Sequence, residues 1–168
     1  MNATLTSEKS DLLAALAKHR FLFRYTAQGL TDEQAAATPT VSELSVGGLI
    51  KHVAFTESGW VDFIERGAAA MSFDESSYET HTNSFRMLPG ETLEGILAEY
   101  EKVAARTEEV VAGLETLDLT HDLPDAPWFT DRSWSARRVL VHLVAETSQH
   151  AGHADIIRET IDGQKSMG

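Results

Sequence analysis

The chain has 168 residues, no cysteine, and 14 basic against 26 acidic side chains, for a net charge of −12. A single domain over residues 1–168 is expected, and a chain of that length buries roughly 70% of its unfolded surface without staples. The lack of cysteine excludes disulfides, Cys-ligated metal sites and a cysteine nucleophile, and the acidic balance argues against nucleic acid or an anionic membrane as partner.

The opening residues are polar and then amphipathic, with no basic segment followed by a continuous apolar run. No window is apolar for long enough to span a bilayer. The expectation is a cytoplasmic protein without a secretory leader.

Four stretches carry helical periodicity, and none shows the alternation of a half-buried strand. The first helix is predicted from about Ser7 to Gly29, with Leu12, Leu16, Phe23 and Leu30 near one stripe. Thr31-Asp32-Glu33-Gln34 then has the form of a capping box, closed by Pro39. The second long helix runs from about Ser45 to Arg66, with Ser45 as N-cap and Gly67 as stop. The third runs from about Glu91 to Leu117 on Leu93, Ile96, Leu97, Tyr100 and Val103. The fourth starts near Ser133 or Ser135 and ends near Gly163, with Val139, Leu143, Ile157 and Ile161 as its stripe. The connections 67–90 and 118–132 are long and too apolar to be free linkers, so both are expected to fold back on the helices. The fold class is all-α: a four-helix bundle with a long crossover loop between helices 2 and 3.

The stripe of the fourth helix is broken in its middle. At 100° per residue Glu146 lies about 40° from His150, and His153 about 60° from it, while Val139, Leu143, Ile157 and Ile161 fall within about 20° of His150. A carboxylate on a core face is costly unless it is paired or bound to a metal. Glu146 and His150 are spaced to converge on one point, and His52 borders the core face of the second helix. Two imidazoles and a carboxylate suit a divalent ion with an open position: zinc first, with iron(II), nickel or manganese by the same donors. The plain alternative is a solvated helix pair beside a satisfied core histidine.

The run His142-Leu143-Val144-Ala145-Glu146-Thr147-Ser148-Gln149-His150-Ala151-Gly152-His153-Ala154-Asp155 resembles the last helix of DinB-like proteins, and most closely the branch of the mycothiol S-transferases. Leu44-Ser45-Val46-Gly47-Gly48-Leu49-Ile50-Lys51-His52, with Glu57 and Trp60 after it, resembles the second helix of that branch, and Gly29-Leu30-Thr31-Asp32-Glu33-Gln34 matches it too. The resemblance implies an up-down-down-up four-helix bundle, often dimeric, with a divalent metal on His52, Glu146 and His150. The related mycothiol-dependent maleylpyruvate isomerases use a His-Glu-His set of the same kind.

The expected function is a metal-dependent transfer of a low-molecular-weight thiol, mycothiol in this branch, to an electrophile. A divalent ion with one carboxylate and two neutral imidazoles keeps one positive charge, which favours a thiolate or hydroxide beside it. With no cysteine in the chain, the sulfur arrives as substrate. His153 is a candidate proton shuttle, orienting group or extra ligand, with a core histidine as the alternative. Trp60, Trp128 and Trp134 are candidate walls of the substrate cleft. Asp155 and Arg158 read as surface or interface residues, His142 as structural, and His19, His81 and His121 as solvent-exposed. Arg132, Arg137 and Arg138 read as a salt-bridged helix start. Two other functions fit the same residues: a metal-dependent hydrolase or isomerase, and a non-catalytic bundle that binds a small molecule or a protein.

Overall fold

The computed structural model describes residues 6–71 and 73–167. Among these the chain forms α1 (Ser7–Tyr25), α2 (Asp32–Ala36), α3 (Val46–Arg66), α4 (Glu75–Ser84), α5 (Leu93–Gly113) and α6 (Ala136–Asp162). No helix is long and apolar enough to cross a membrane, among the described residues.

The helices begin where hydroxyl side chains take up free backbone donors. Thr6, Ser45, Thr92 and Ser135 accept hydrogen bonds from the amides of Lys9, Gly48, Gly95 and Arg138, a device worth about 1 kcal/mol each. The capping box forms as the sequence predicts: Gln34 N donates to Thr31 Oγ1 at 3.2 Å, and Thr31 N donates to Gln34 Oε1 at 3.0 Å. Gly67 and Gly163 end α3 and α6 with φ of +65° and +79°, a conformation that favours glycine.

The long helices pack α1 on α6, α6 on α3 and α3 on α5, with α5 closing back towards α1. Glu8 meets Arg137 at the starts of α1 and α6, and Arg158 reaches the end of α1 from the end of α6, so these two run parallel. Lys51 meets Glu91 and Arg106 meets Asp62, so α3 and α5 run parallel to each other. Arg24, near the end of α1, pairs with Glu101 towards the start of α5, and Lys9 donates to Leu114 O beyond its end, so α1 and α5 are antiparallel.

Several local expectations change. The connection 67–90 carries a 3₁₀ turn (Gly67–Ala70) and α4. Segment 118–132 leads into a two-stranded antiparallel sheet of β1 (Thr120–Asp122) and β2 (Ser133–Ser135), with Thr120 opposite Ser135. Strands of three residues are too short for alternation to reveal them. Arg158 is buried, not on the surface. Its Nη1 donates to Thr26 O at 2.6 Å and Gln28 O at 2.9 Å, and Asp162 pairs with the rest of the guanidinium. The open carbonyls at the end of α1 are what draw it inwards. Asp155 accepts from Ser166 N and Oγ and ties down the segment after α6. His121 is half-buried with Nε2 3.1 Å from Ile64 O, and His19 is also partly covered. Arg137 bridges Glu8 and Asp118, whereas Arg138 lies over the Trp134 ring, 4.2 Å from its centroid.

The core falls into two apolar clusters. One gathers Phe23, Leu49, Val53, Ile96, Tyr100 and Ile157, the other Leu16, Phe63, Ile64, Val111, Leu140 and Leu143. Between them every long helix contributes a buried polar residue: Arg20, Glu57, Thr107 and Thr147. Arg20 Nε donates to Glu57 Oε2 at 3.1 Å, and Arg20 Nη2 and the Thr107 hydroxyl both bond Glu57 Oε1.

Glu57→Gln removes the buried counter-charge of Arg20 and leaves it, among the described residues, only the exposed Glu108 carboxylate at 3.6 Å, and it is expected to cost about 3–5 kcal/mol in urea unfolding; a loss below ~1 kcal/mol contradicts this. A glycine pair on α3 gives a second check. A Cβ on Gly48 would lie 2.6 Å from the Phe85 carbonyl carbon and overlap its oxygen, whereas one on Gly59 meets nothing within 4 Å. Gly48→Ala is expected to lower stability by about 1–3 kcal/mol. Gly59→Ala is expected to raise it by about 0.5–1 kcal/mol. Thermal melts of the two variants separate these outcomes.

Candidate metal centre

The site begins with a close approach. Gly47 and Gly48 leave the first turn of α3 bare, and the Phe85 carbonyl and the Met87 side chain occupy the space where side chains would stand. This seats the end of α4 on α3, one turn before His52. Phe85 then stacks on the His52 ring, with centroids 3.6 Å apart and planes at 18°. Ser84 Oγ lies 2.9 Å from His52 Nδ1 and donates its own proton to His81 O at 2.6 Å. With that proton committed, Ser84 accepts, so the His52 proton sits on Nδ1 and Nε2 carries a lone pair.

Nε2 of His52 faces α6. Glu146 Oε1 lies 3.5 Å from it and 3.1 Å from His150 Nε2. One ligand atom from each of His52, Glu146 and His150 falls within 4.8 Å of the others. His52 is 3% exposed and His150 9%. Burial pushes the His52 imidazole below its usual pKa and so favours the neutral ring. Glu146 is held well below the usual carboxylate range, chiefly by its hydrogen bond to His150. An ionised carboxylate thus faces a neutral nitrogen whose lone pair points at it. Two imidazole nitrogens and a carboxylate converging at the edge of the core can share a cation, and the nitrogen and oxygen donors suit a divalent one. These three residues therefore could hold a metal ion.

The neighbours take distinct places. His153 Nδ1 lies 3.4 Å from His150 Nδ1, on the side of that ring away from Glu146. His142, one turn before Glu146, sits edge-on to Trp60 and Trp134 at 5.2 and 5.3 Å, and burial lowers its pKa. Trp60 is buried and stacks on Trp134, with centroids 4.5 Å apart. Trp128 is 60% exposed and edge-on to Phe73 at 5.2 Å, so it lies on the outer rim of the same aromatic group. His81 is exposed, yet its ring stands 5.5 Å from that of His52. The sequence placed His52, Glu146 and His150 by helical angle; it did not reveal Ser84, Phe85 or Thr56, whose hydroxyl is 3.4 Å from His52 Nε2. The Gly47-Gly48 pair was the one sign that another segment approaches there.

A family model for mycothiol-S-transferases matches residues 11–163. No curated protein matches the chain. The fold is similar to the crystal structure of a conserved protein of a locus from Enterococcus faecalis, with a TM-score of 0.70 and 15% identity over 96% of this chain and 100% of that one. At such identity the likeness concerns the fold alone. The family match spans nearly all of the described residues, including both helices of the site, and the chain belongs to the mycothiol-S-transferase family of DinB-like proteins.

Proposed function

We propose that the protein is a metal-dependent transferase that joins a low-molecular-weight thiol of the mycothiol type to an electrophilic substrate. The observation that carries this reading is the convergence of His52, Glu146 and His150 in a mycothiol-S-transferase family chain that has no cysteine of its own. His52 Nε2, Glu146 and His150 Nε2 would hold the divalent cation, with zinc preferred and iron, nickel or manganese compatible. Bound there, the cation supplies positive charge that lowers the pKa of a nearby thiol.

The chain's own groups do the rest. Ser84 fixes the His52 tautomer through Nδ1. With the cation bound, His153 Nδ1, 3.4 Å from His150 Nδ1, would accept the Nδ1 proton of His150 and leave Nε2 as a donor atom, the usual arrangement of a ligating imidazole. The thiol gives its proton to solvent water, the sulfur forms a bond to the electrophilic carbon, and the electron pair leaves with the displaced group or moves into the acceptor, which takes up a proton from water. Trp128 and Phe73, with buried Trp60 and Trp134 behind them, offer an aromatic rim on which a flat acceptor could rest. The parallel α1–α6 and α3–α5 pairs support the up-down-down-up order of a four-helix bundle, in one domain over residues 1–168. A cytoplasmic homodimer without nucleic-acid or membrane partners completes the reading.

Elemental analysis of the purified protein tests the site: about one divalent metal per chain is expected, lost in His150→Ala and Glu146→Gln. Equal metal in wild type and variants refutes it. Consumption of mycothiol with monochlorobimane should need the metal, and an unchanged rate after chelation removes the transferase reading. Ser84→Ala should weaken metal affinity by about 10–100-fold in competition with a coloured chelator, because the His52 tautomer is then no longer fixed.

A further inference from the structure

Thr56 stands one turn after His52 on α3. Several hydroxyls inside the helices of this protein bond back to the carbonyl four residues earlier. Thr80 does so to Ser76, Thr82 to Tyr78, Thr107 to Val103, Ser148 to Val144 and Thr160 to Ile156, at 2.6–3.0 Å. That is the common local habit of such residues. Thr56 departs from it. Its Oγ1 is turned to His52 Nε2 at 3.4 Å and has no other hydrogen-bond partner among the described residues.

Nε2 is the nitrogen that Ser84 leaves unprotonated, so Thr56 is the donor in this contact and directs its proton into the centre of the triad. The same nitrogen faces Glu146 Oε1. A cation there takes the Nε2 lone pair, and Thr56 loses its acceptor. It is then free to turn back to the His52 carbonyl or to donate to an anionic atom entering beside His52. The residue is half-buried, so it is reached from outside while its base is fixed on the helix.

We infer that Thr56 is a positioning residue of this site, whose hydroxyl donates a hydrogen bond to the thiolate sulfur of the incoming substrate. The inference rests on the metal reading of His52, Glu146 and His150. It adds a donor that neither Glu146, an acceptor, nor a metal-bound imidazole nitrogen supplies. A donor aimed at sulfur stabilises the deprotonated form and fixes the direction of its remaining lone pairs.

The test uses cobalt(II)-loaded protein titrated with N-acetylcysteine, read by the sulfur-to-cobalt absorption band, in wild type, Thr56→Val and Thr56→Ser. All three are expected to take the same amount of cobalt. Thr56→Val should bind the thiol about tenfold more weakly, and the pH at which its band is half-formed should rise by about one unit. Thr56→Ser should match wild type. Equal thiol affinity and pH profile in Thr56→Val overturn the inference and leave the metal reading standing. Loss of cobalt from Thr56→Val also overturns it, by making the hydroxyl a support of the metal or fold. A wild type that takes cobalt but shows no thiol band refutes both this inference and thiol chemistry at the site. A wild type that takes no cobalt refutes the metal reading and this inference together.

Discussion

The ion pair of Arg20 and Glu57 sets the level at which the long helices meet. Both groups are buried, and desolvating them is costly unless each finds the other. Sliding α3 by one turn would leave a carboxylate in an apolar cluster with no counter-charge. Thr107 from α5 shares the same carboxylate oxygen, so a third helix is held at that level. Thr147 occupies it on α6 and is the immediate neighbour of Glu146. The polar layer thus fixes α3 against α1 and α5, at the register in which His52, five residues before Glu57, stands opposite Glu146 and His150.

Geometry at the site then depends on two segments outside the four long helices. The end of α4 reaches His52 because Gly47 and Gly48 carry no side chains, and it delivers both a stacking ring and a hydroxyl. On the other side, Arg158 joins α6 to the end of α1 through two carbonyls. Helix α6 therefore serves two ends. Its Glu146 and His150 face His52 of α3, and its Arg158 secures the turn that leads into α2.

What the sequence made legible follows from range. Helix starts at Ser45 and Ser135, the Thr31–Gln34 box and the stops at Gly67 and Gly163 rest on neighbours within four residues. Periodicity displays those directly. Glu146 and His150 were visible because they interrupt a stripe that is otherwise apolar, and His52 because it borders a second stripe. Ser84 was hidden because its partner lies 32 residues away, across a connection with no periodic pattern. Arg158 was misplaced for a related reason. Its angle on α6 points away from His150, and nothing local shows that the carbonyls it satisfies lie 130 and 132 residues earlier. Glu57 was noted only as part of a resemblance, since its partner on α1 is equally remote in sequence.

The bond from Ser84 to His52 joins two events that are usually described separately. Ser84 is the last residue of α4, and α4 is held to α3 mainly at this end. Docking of α4 fixes the His52 tautomer, and a cation on Nε2 would favour the same ring state that Ser84 grips. By reciprocity, each lowers the free energy of the other by the same amount. Amide exchange along α4 and saturation at His52 then report one shared equilibrium, and the stability of a short surface helix becomes a dial on the affinity of a buried site.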